Sequence, residues 1–550
     1  MTSIPYLRAL TWGTVTVFTA VAVIVAVAFP LHASDALTFG EWSRLIAEHW
    51  SRVFDLSNRP LFYVLQGSLW HLIGYSDTSG RLLCGIFSVL LVGALAWLVA
   101  ARPWGHVAAA LVTLFTLAVP VFAIQAVSSL TDVVVASLLA LAAAFAVRLL
   151  PERLWMSAAA GIAAMLAVLA KPSAVLALLG ITAAQTLARH PIRACVLRRV
   201  LPLAAGTLAG FAYYVVQTAR AHVALRPYLE AGVTGPYYSQ LAAATRRLAI
   251  LDAAWFGDLL RTVVIFTLLY TAARLIGTRH RTSVAVAVPA AAIASWLLPW
   301  IGRREGKLAV GPFANASSFV AWLVTCGVLV ATLVAPDDAV PERRELLQFT
   351  LWALLPLVGW MTYATYDARL LSPAWPGLLA LMTVCTMPAV AGLSRVPALA
   401  LAPVVGLTVA VALNVYNIDG LGRSGWDQWR RTPAFRRFDV EATRAIVLPD
   451  LTKALAVARP LMGAHNRMLS PEGAFRFFFP GRVDQTFPAS CAQLSPYRVF
   501  VLTTDAGSKS YMENILHVSG DPSYWAACKQ PRLRFVTSGA EGYAVFAVGS

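Results

Sequence analysis

Ten charged residues of this sequence stand where a charge is costly, at the ends of long apolar runs or in the gaps between them. They are Asp35, Arg59, Arg81, Asp132, Lys171, Arg303, Arg304, Lys307, Asp367 and Arg369. A charge beside hydrocarbon is costly and needs a reason, which makes these residues the first candidates for function. A carboxylate among several cations suits a reaction on an anionic substrate held in the membrane. The carboxylate removes a proton from an attacking hydroxyl, and the cations stabilise a departing phosphate. Taken singly, several have a plainer reading. Ser34 or Asp35 could cap a helix that starts near Ala36. Asp132, in SLTDVVV, could cap the run that follows it, and Lys171, in LAKPSA, could snorkel from a tight turn. Arg303 and Arg304 could be interfacial anchors. Their gathering on one side argues for a site.

No other chemistry competes. The sequence has no Walker loop, no HExxH and no CxxC, and its nine His residues do not fall into ligand spacing.

The elements that must position these residues are spans. The chain has 550 residues, 58% hydrophobic and 13% charged, with a mean hydropathy of +0.67. A soluble chain carries far more charge, so this composition reads as a polytopic α-helical membrane protein. The net charge of +17 lies mostly in short gaps between apolar runs, which favours a membrane over nucleic acid. About thirteen runs are of spanning length or slightly less. They lie near 10–31, 82–101, 105–127, 131–150, 154–170, 172–188, 201–218, 257–276, 283–301, 316–335, 347–365, 372–393 and 396–416. The first run has no convincing cleavage site after it, so it reads as a span.

Alternate gaps differ in kind. One set is short and basic, with Arg8, Arg102, Arg148, Arg153, Arg198, Arg199, Arg279, Arg343, Arg344 and Arg395 among its residues. The positive-inside rule places it in the cytoplasm, together with the N-terminus. An odd number of spans then puts the C-terminus outside. The outer set holds long loops at 32–81 and 219–256, a short basic gap at 303–315, and the tail from about 418. No internal repeat of the kind that transporters show is evident.

Within the first outer loop, Phe39, Trp42, Leu45, Ile46, His49, Trp50 and Val53 recur at helical spacing. Leu61, Phe62, Leu65, Leu69, Leu72 and Ile73 do the same. Both stretches predict amphipathic helices lying along the outer interface. The tail, 418–550, reads as a small α/β domain: strands in YRVFVLTT (497–504), RLRFVTS (532–538) and YAVFAVG (543–549), and helix within 441–462. Its Cys491 and Cys528 could pair as a disulfide in an oxidising compartment, the alternative being two unrelated buried thiols. Pro-rich turns such as LSPAWPG read as punctuation at the membrane edge.

The order of these features resembles the GT-C superfamily of membrane glycosyltransferases, and within it the lipid A aminoarabinose transferases and protein O-mannosyltransferases. Those families carry an acidic residue after the first span, leading into an interfacial helix. SDALTFGEWSRLIAEHW gives Asp35 that position. A Lys-Pro-Pro-Leu-like element and an aromatic helix follow, matched here by Pro60, Leu61, Phe62, Tyr63, Gly74 and Arg81. TDVVVASLLALAAAFA resembles the Thr-Asp segment and gives Asp132. LAKPSAVLALL resembles the Lys-containing hairpin and gives Lys171. YDARLLSPAWPGLLAL resembles the Arg-Tyr-x-x-Pro element and gives Arg369. The resemblance covers most of 1–416 in order, and the tail only in kind. Ala36 follows Asp35 where the family has a second acid, Asn58 aligns with the family's Lys with Arg59 one place on, and Leu370 replaces a Tyr.

The resemblance implies a transferase that moves a monosaccharide from a polyprenyl-phosphate carrier to an acceptor on the outer face of the inner membrane, by inverting single displacement. Asp35 is then the general base, and Asp132 orients a cation or the sugar. Arg59, Lys171, Arg303 and Arg369 are the candidates for the donor phosphate. The acceptor would be a glycolipid, polysaccharide or protein, and membrane lipids surround the spans; no nucleic acid is expected. A monophosphate leaving group facing several cations requires no cofactor in principle, and a divalent metal is compatible with the site. Three readings remain beside it: a lipid-linked glycan transporter or flippase, a non-catalytic membrane scaffold displaying its tail to a partner, and an oligosaccharide ligase or polymerase using a pyrophosphate-linked donor.

Overall fold

In the computed structural model, the residues described are 34–51, 59–100, 105–118, 131–148, 153–187, 196–220, 343–361, 371–381 and most of 445–549, with a few isolated positions. The runs at 257–276, 283–301, 316–335 and 396–416 and the loop at 219–256 lie outside them, as does nearly all of 10–31.

The two stretches with aromatic periodicity before the first long apolar helix are helical where described, as that periodicity predicts. Helix α1 spans Ser34–Glu48 and α2 spans Pro60–Ile73. Pro60 fits the first turn of α2, where a backbone N–H has no helical partner to lose. Gly74 ends the helix at φ 89°, a conformation that a side chain resists. The two helices are stitched by a buried relay. Ser43 Oγ donates to Gln66 Oε1 at 2.7 Å, and Gln66 Nε2 donates to the Gly80 carbonyl at 3.1 Å, in the first turn of α3 (Asp77–Val99).

The helical bundle continues with α4 (Gly105–Ala118), α5 (Thr131–Val147), α6 (Leu154–Ala170), α7 (Ala174–Leu187), α8 (Leu201–Arg220) and α9 (Arg343–Met361). Among the described residues, Ser79–Val99 and Val196–Gln217 are long and apolar enough to cross a bilayer, with mean hydropathies of 2.6 and 1.4. Thr131–Val147, Leu154–Ala170, Ala174–Thr186 and Leu347–Leu357 are apolar but shorter. Helix α5 is apolar on every side and almost wholly buried, the pattern of a central helix. Helix α8 instead turns Leu201, Leu208, Phe211, Val215 and Val216 outward, as a hydrocarbon-facing helix does.

Small residues set the helix spacing. A Cβ on Gly206 of α8 would fall on the carbonyl oxygen of Gly161 in α6, so the two backbones touch directly. In lipid, where apolar side chains gain nothing by hiding from one another, such close packing is a main source of helix association.

Antiparallel neighbours give the bundle two chemically distinct ends. At one end lie Arg148 after α5, Arg153 before α6, and Arg198 and Arg199 before α8. Arg148 Nε donates to the Trp97 carbonyl at 3.0 Å, and the Arg198 carbonyl accepts from Ser157 Oγ at 2.5 Å. At the other end lie Asp132 and Lys171.

The tail holds α10 (Pro449–Met462), α11 (Ala474–Phe478) and α12 (Pro522–Ala526) around a five-stranded sheet. The strands are β1 (Met468–Leu469), β2 (Val483–Asp484), β3 (Val499–Thr503), β4 (Leu533–Ala540) and β5 (Tyr543–Val548), in the order β2-β1-β3-β5-β4. Strand β1 runs parallel to β2 and β3, while β5 is antiparallel to β3 and β4. All of VFVLT in β3 is buried, because both faces of the sheet are covered. Val499 and Val501 join the core that includes Leu451 and Leu455 of α10, whereas Phe500 and Leu502 pack with Trp525 and Phe546. Cys491 and Cys528 are joined by a disulfide, with Cα atoms 5.8 Å apart.

Candidate active site

Asp132 stands in the first turn of α5, only 4% exposed. Lys171 stands at the hairpin between α6 and α7, 6% exposed. Pro172 cannot continue α6, so Lys171 leaves the helix at φ −159°, ψ 119°. Its backbone still closes the turn: its N–H reaches the Ala167 carbonyl at 3.0 Å, and its own carbonyl accepts from Ala174 at 3.0 Å. The ammonium therefore points inward and does not snorkel to the interface.

It meets two partners there. Lys171 Nζ lies 2.5 Å from Asp132 Oδ1 and donates to Ser372 Oγ at 3.1 Å. Ser372 Oγ donates to the same Asp132 Oδ1 at 2.9 Å. Ser372 is wholly buried in the turn at 371–374, which leads into a helix at 375–381. That turn is fixed by Trp352 of α9, whose Nε1 donates to the Pro373 carbonyl at 3.1 Å. Three elements distant in sequence thus converge on one carboxylate oxygen. Two ions taken from water into such a place hold only if they are paired and hydrogen-bonded.

Sequence reasoning missed Ser372. It lies in LSPAWPG, whose prolines read as punctuation. The one available signal was its place three residues after Arg369 in a segment already singled out for charge.

Arg59 occupies the N-cap of α2 with φ 53° and ψ 44°, the left-handed region that an Arg side chain disfavours. Its guanidinium lies 4.7 Å from the centroid of the Phe39 ring on α1. Asp35 lies one turn earlier on that helix, at its second residue. Tyr214 of α8 connects Arg59 to the bundle. Its hydroxyl donates to the Val168 and Leu169 carbonyls, each at 3.1 Å, and also interacts with the Arg59 backbone. Leu169 is two residues before Lys171, so Arg59 and Lys171 gather at the same end of α6. Arg81, in the first turn of α3, is buried at 1% exposed.

Arg303, Arg304, Lys307, Asp367 and Arg369 lie outside the described residues. Among the described residues no cluster of three His, Cys, Asp or Glu side chains could hold a metal ion. What the described residues assemble is a buried Asp132–Lys171–Ser372 group and, toward the same end of α6, the Arg59 guanidinium against the Phe39 ring of α1. That set can present positive charge to an anion at one end of a helical bundle.

No family model matches the sequence, and no curated protein does. Solved structures do match. ArnT from Cupriavidus metallidurans bound to undecaprenyl phosphate superposes with a TM-score of 0.53 at 15% identity, covering 97% of this chain and 98% of that one. Its apo form gives the same values. AglB, the oligosaccharyltransferase of Archaeoglobus fulgidus, solved with an inhibitory peptide and a dolichol-phosphate, matches at a TM-score of 0.40 and 10% identity, over 98% and 74% of the two chains. The bundle and the tail together, nearly end to end, share the fold of that ArnT structure.

Proposed function

We propose that this protein is an integral membrane glycosyltransferase that takes a monosaccharide from a polyprenyl-phosphate carrier and gives it to an acceptor at the outer face of the inner membrane. The observation that carries the reading is the gathering of Arg59, Asp132, Lys171 and Ser372 at the end of the bundle opposite its Arg148, Arg153, Arg198 and Arg199 cluster. A positive-inside orientation makes the arginine-rich end cytoplasmic and the other end outer. The matching of ArnT, solved with undecaprenyl phosphate, across nearly the whole chain supports the choice of donor.

In this reading 1–417 is the transferase domain of about thirteen spans, and 418–550 is an extracytoplasmic domain. The lipid lies between spans with its phosphate toward Arg59 and, from outside the described residues, Arg303 and Arg369. Lys171 is already neutralised by Asp132. Its part is to pin the hairpin between α6 and α7 to α5 and to the turn at 371–374, through Asp132 and Ser372. Asp35 takes the proton from the acceptor hydroxyl or amine. The acceptor attacks the anomeric carbon, the carbon–oxygen bond to the phosphate breaks, and polyprenyl phosphate leaves with inversion. Helices α1 and α2 cover the site and limit water.

Sugar transfer in membranes, with a panel of polyprenyl-phosphate sugars, tests this. The expected result is transfer from one donor by wild type, with a loss of about 10²-fold or more in Asp35→Asn at normal expression. Near-normal transfer in that variant removes Asp35 from catalysis. Absence of transfer by wild type with every donor overturns the reading.

A further inference from the structure

Among the described residues, the tail touches the helix that carries Asp35 through α11. Phe477 of α11 lies over Gly40 of α1, where a Cβ would come within 2.9 Å of its ring. The same ring packs 5.1 Å from Tyr75 and 6.5 Å from Trp70, and the Tyr75 hydroxyl reaches the Phe477 carbonyl at 3.4 Å. Beside it, Arg476 Nη2 lies 3.3 Å from Glu41 Oε1, with its guanidinium 5.4 Å from the Trp42 ring. Glu41 is 7% exposed, and its Oε2 has no hydrogen-bond partner among the described residues. A half-satisfied buried carboxylate is costly, so Arg476 is what makes Glu41 tolerable there.

From this we infer that α11 clamps the Asp35 helix and that Arg476 is a positioning residue for sugar transfer, acting through Glu41. The inference rests on the reading of Asp35 as the base. Glu41 lies six residues after Asp35, a rise of about 9 Å along a continuous helix. A helix fixed at its middle by a charge pair and an inserted ring transmits that position to its first turn, where Asp35 stands. A displacement of about 1 Å at a reacting group can cost on the order of 10²-fold in rate. The tail then belongs to the catalytic framework, and removing its hold should slow transfer without touching the donor site.

The test uses the full-length protein in membranes or detergent, as wild type, Arg476→Ala and Arg476→Lys. Two quantities are read: hydrogen exchange of the Ser34–Glu48 amides, and kcat and donor KM for transfer. Exchange of the β3 amides, Val499–Thr503, checks that the tail stays folded. The expected result is exchange in Ser34–Glu48 about tenfold faster in Arg476→Ala. Its kcat should fall about tenfold or more with donor KM within about twofold, and both should be partly restored in Arg476→Lys. Unchanged exchange in Ser34–Glu48 overturns the clamp whatever the activity. Faster exchange with wild-type kcat overturns the positioning role. If no donor serves wild type, the exchange result still decides the clamp, and the proposed function fails separately.

Discussion

Two ion pairs in this molecule answer the same problem in different surroundings. Asp132–Lys171 lies inside the helical bundle, and one carboxylate oxygen takes both the ammonium and the Ser372 hydroxyl. Glu41–Arg476 lies where the tail meets α1, at 3.3 Å, with the Arg476 side chain 25% exposed. The first pair has no recourse to water, so its partners come from three elements and the contacts are short. The second leaves its cation partly hydrated, so a looser contact suffices. The inner pair is a fixture of the bundle, whereas the outer pair joins α11 of the tail to α1.

Removing the inner cation should have the largest effect. Lys171→Met is expected to cost about 3–5 kcal/mol, read by thermal or denaturant unfolding in detergent, because it strips Asp132 of its ammonium partner. Adding Asp132→Leu should return much of that stability while transfer stays lost, which separates the fold's need for the pair from the reaction's need. Equal recovery of activity would mean that the inner pair serves the fold alone.

Ser372→Ala should cost less, about 1–3 kcal/mol, by leaving a buried carboxylate one donor short. The same unfolding measurement checks it. A loss below about 0.5 kcal/mol would mean that the two ions alone satisfy the site.

The smallest expected effect is a slope with pH at the outer pair. Burial pushes the Glu41 carboxyl above its ordinary value of 4.5, with Arg476 and Arg44 pulling it back and Glu48 pushing it further. A carboxyl raised on folding favours the folded state most when protonated in both states. Its contribution is therefore fully present below 4.5 and fades as pH rises through the folded value. Glu41→Gln should flatten stability across that window, measured by unfolding at a series of pH values. A steeper slope in the variant would assign the titration to another group.

How much of this was legible depended on how local the signal was. The helices at Ser34–Glu48 and Pro60–Ile73 were readable because their apolar and aromatic residues recur every three or four positions. The bounds of α5, α6 and α8 fell close to the ends of their apolar runs, and Asp132 and Lys171 stood out as charges at those ends. Strands β3, β4 and β5 announced themselves by alternation or β-branched runs, but β1 and β2, two residues each, were too short to show any pattern. Ser372 is small, neutral and set between turn residues, so nothing in its neighbourhood marked it. That Arg476 would meet Glu41 was also invisible, since single-sequence patterning carries no information on which distant segments touch.

The backbone of Arg59 carries one more consequence. If the start of α2 needed only a cap, Ser, Asp or Asn would supply an acceptor, and Gly would sit at φ 53° at ease. An arginine there contributes no capping bond and adopts a torsion disfavoured by about 1–2 kcal/mol. The position therefore runs against local preference, and its surroundings, Phe39 on one side and Tyr214 on the other, must impose it. Replacing Arg59 with Gly should give a more comfortable helix start and a poorer enzyme, so at this residue stability and activity are expected to move in opposite directions.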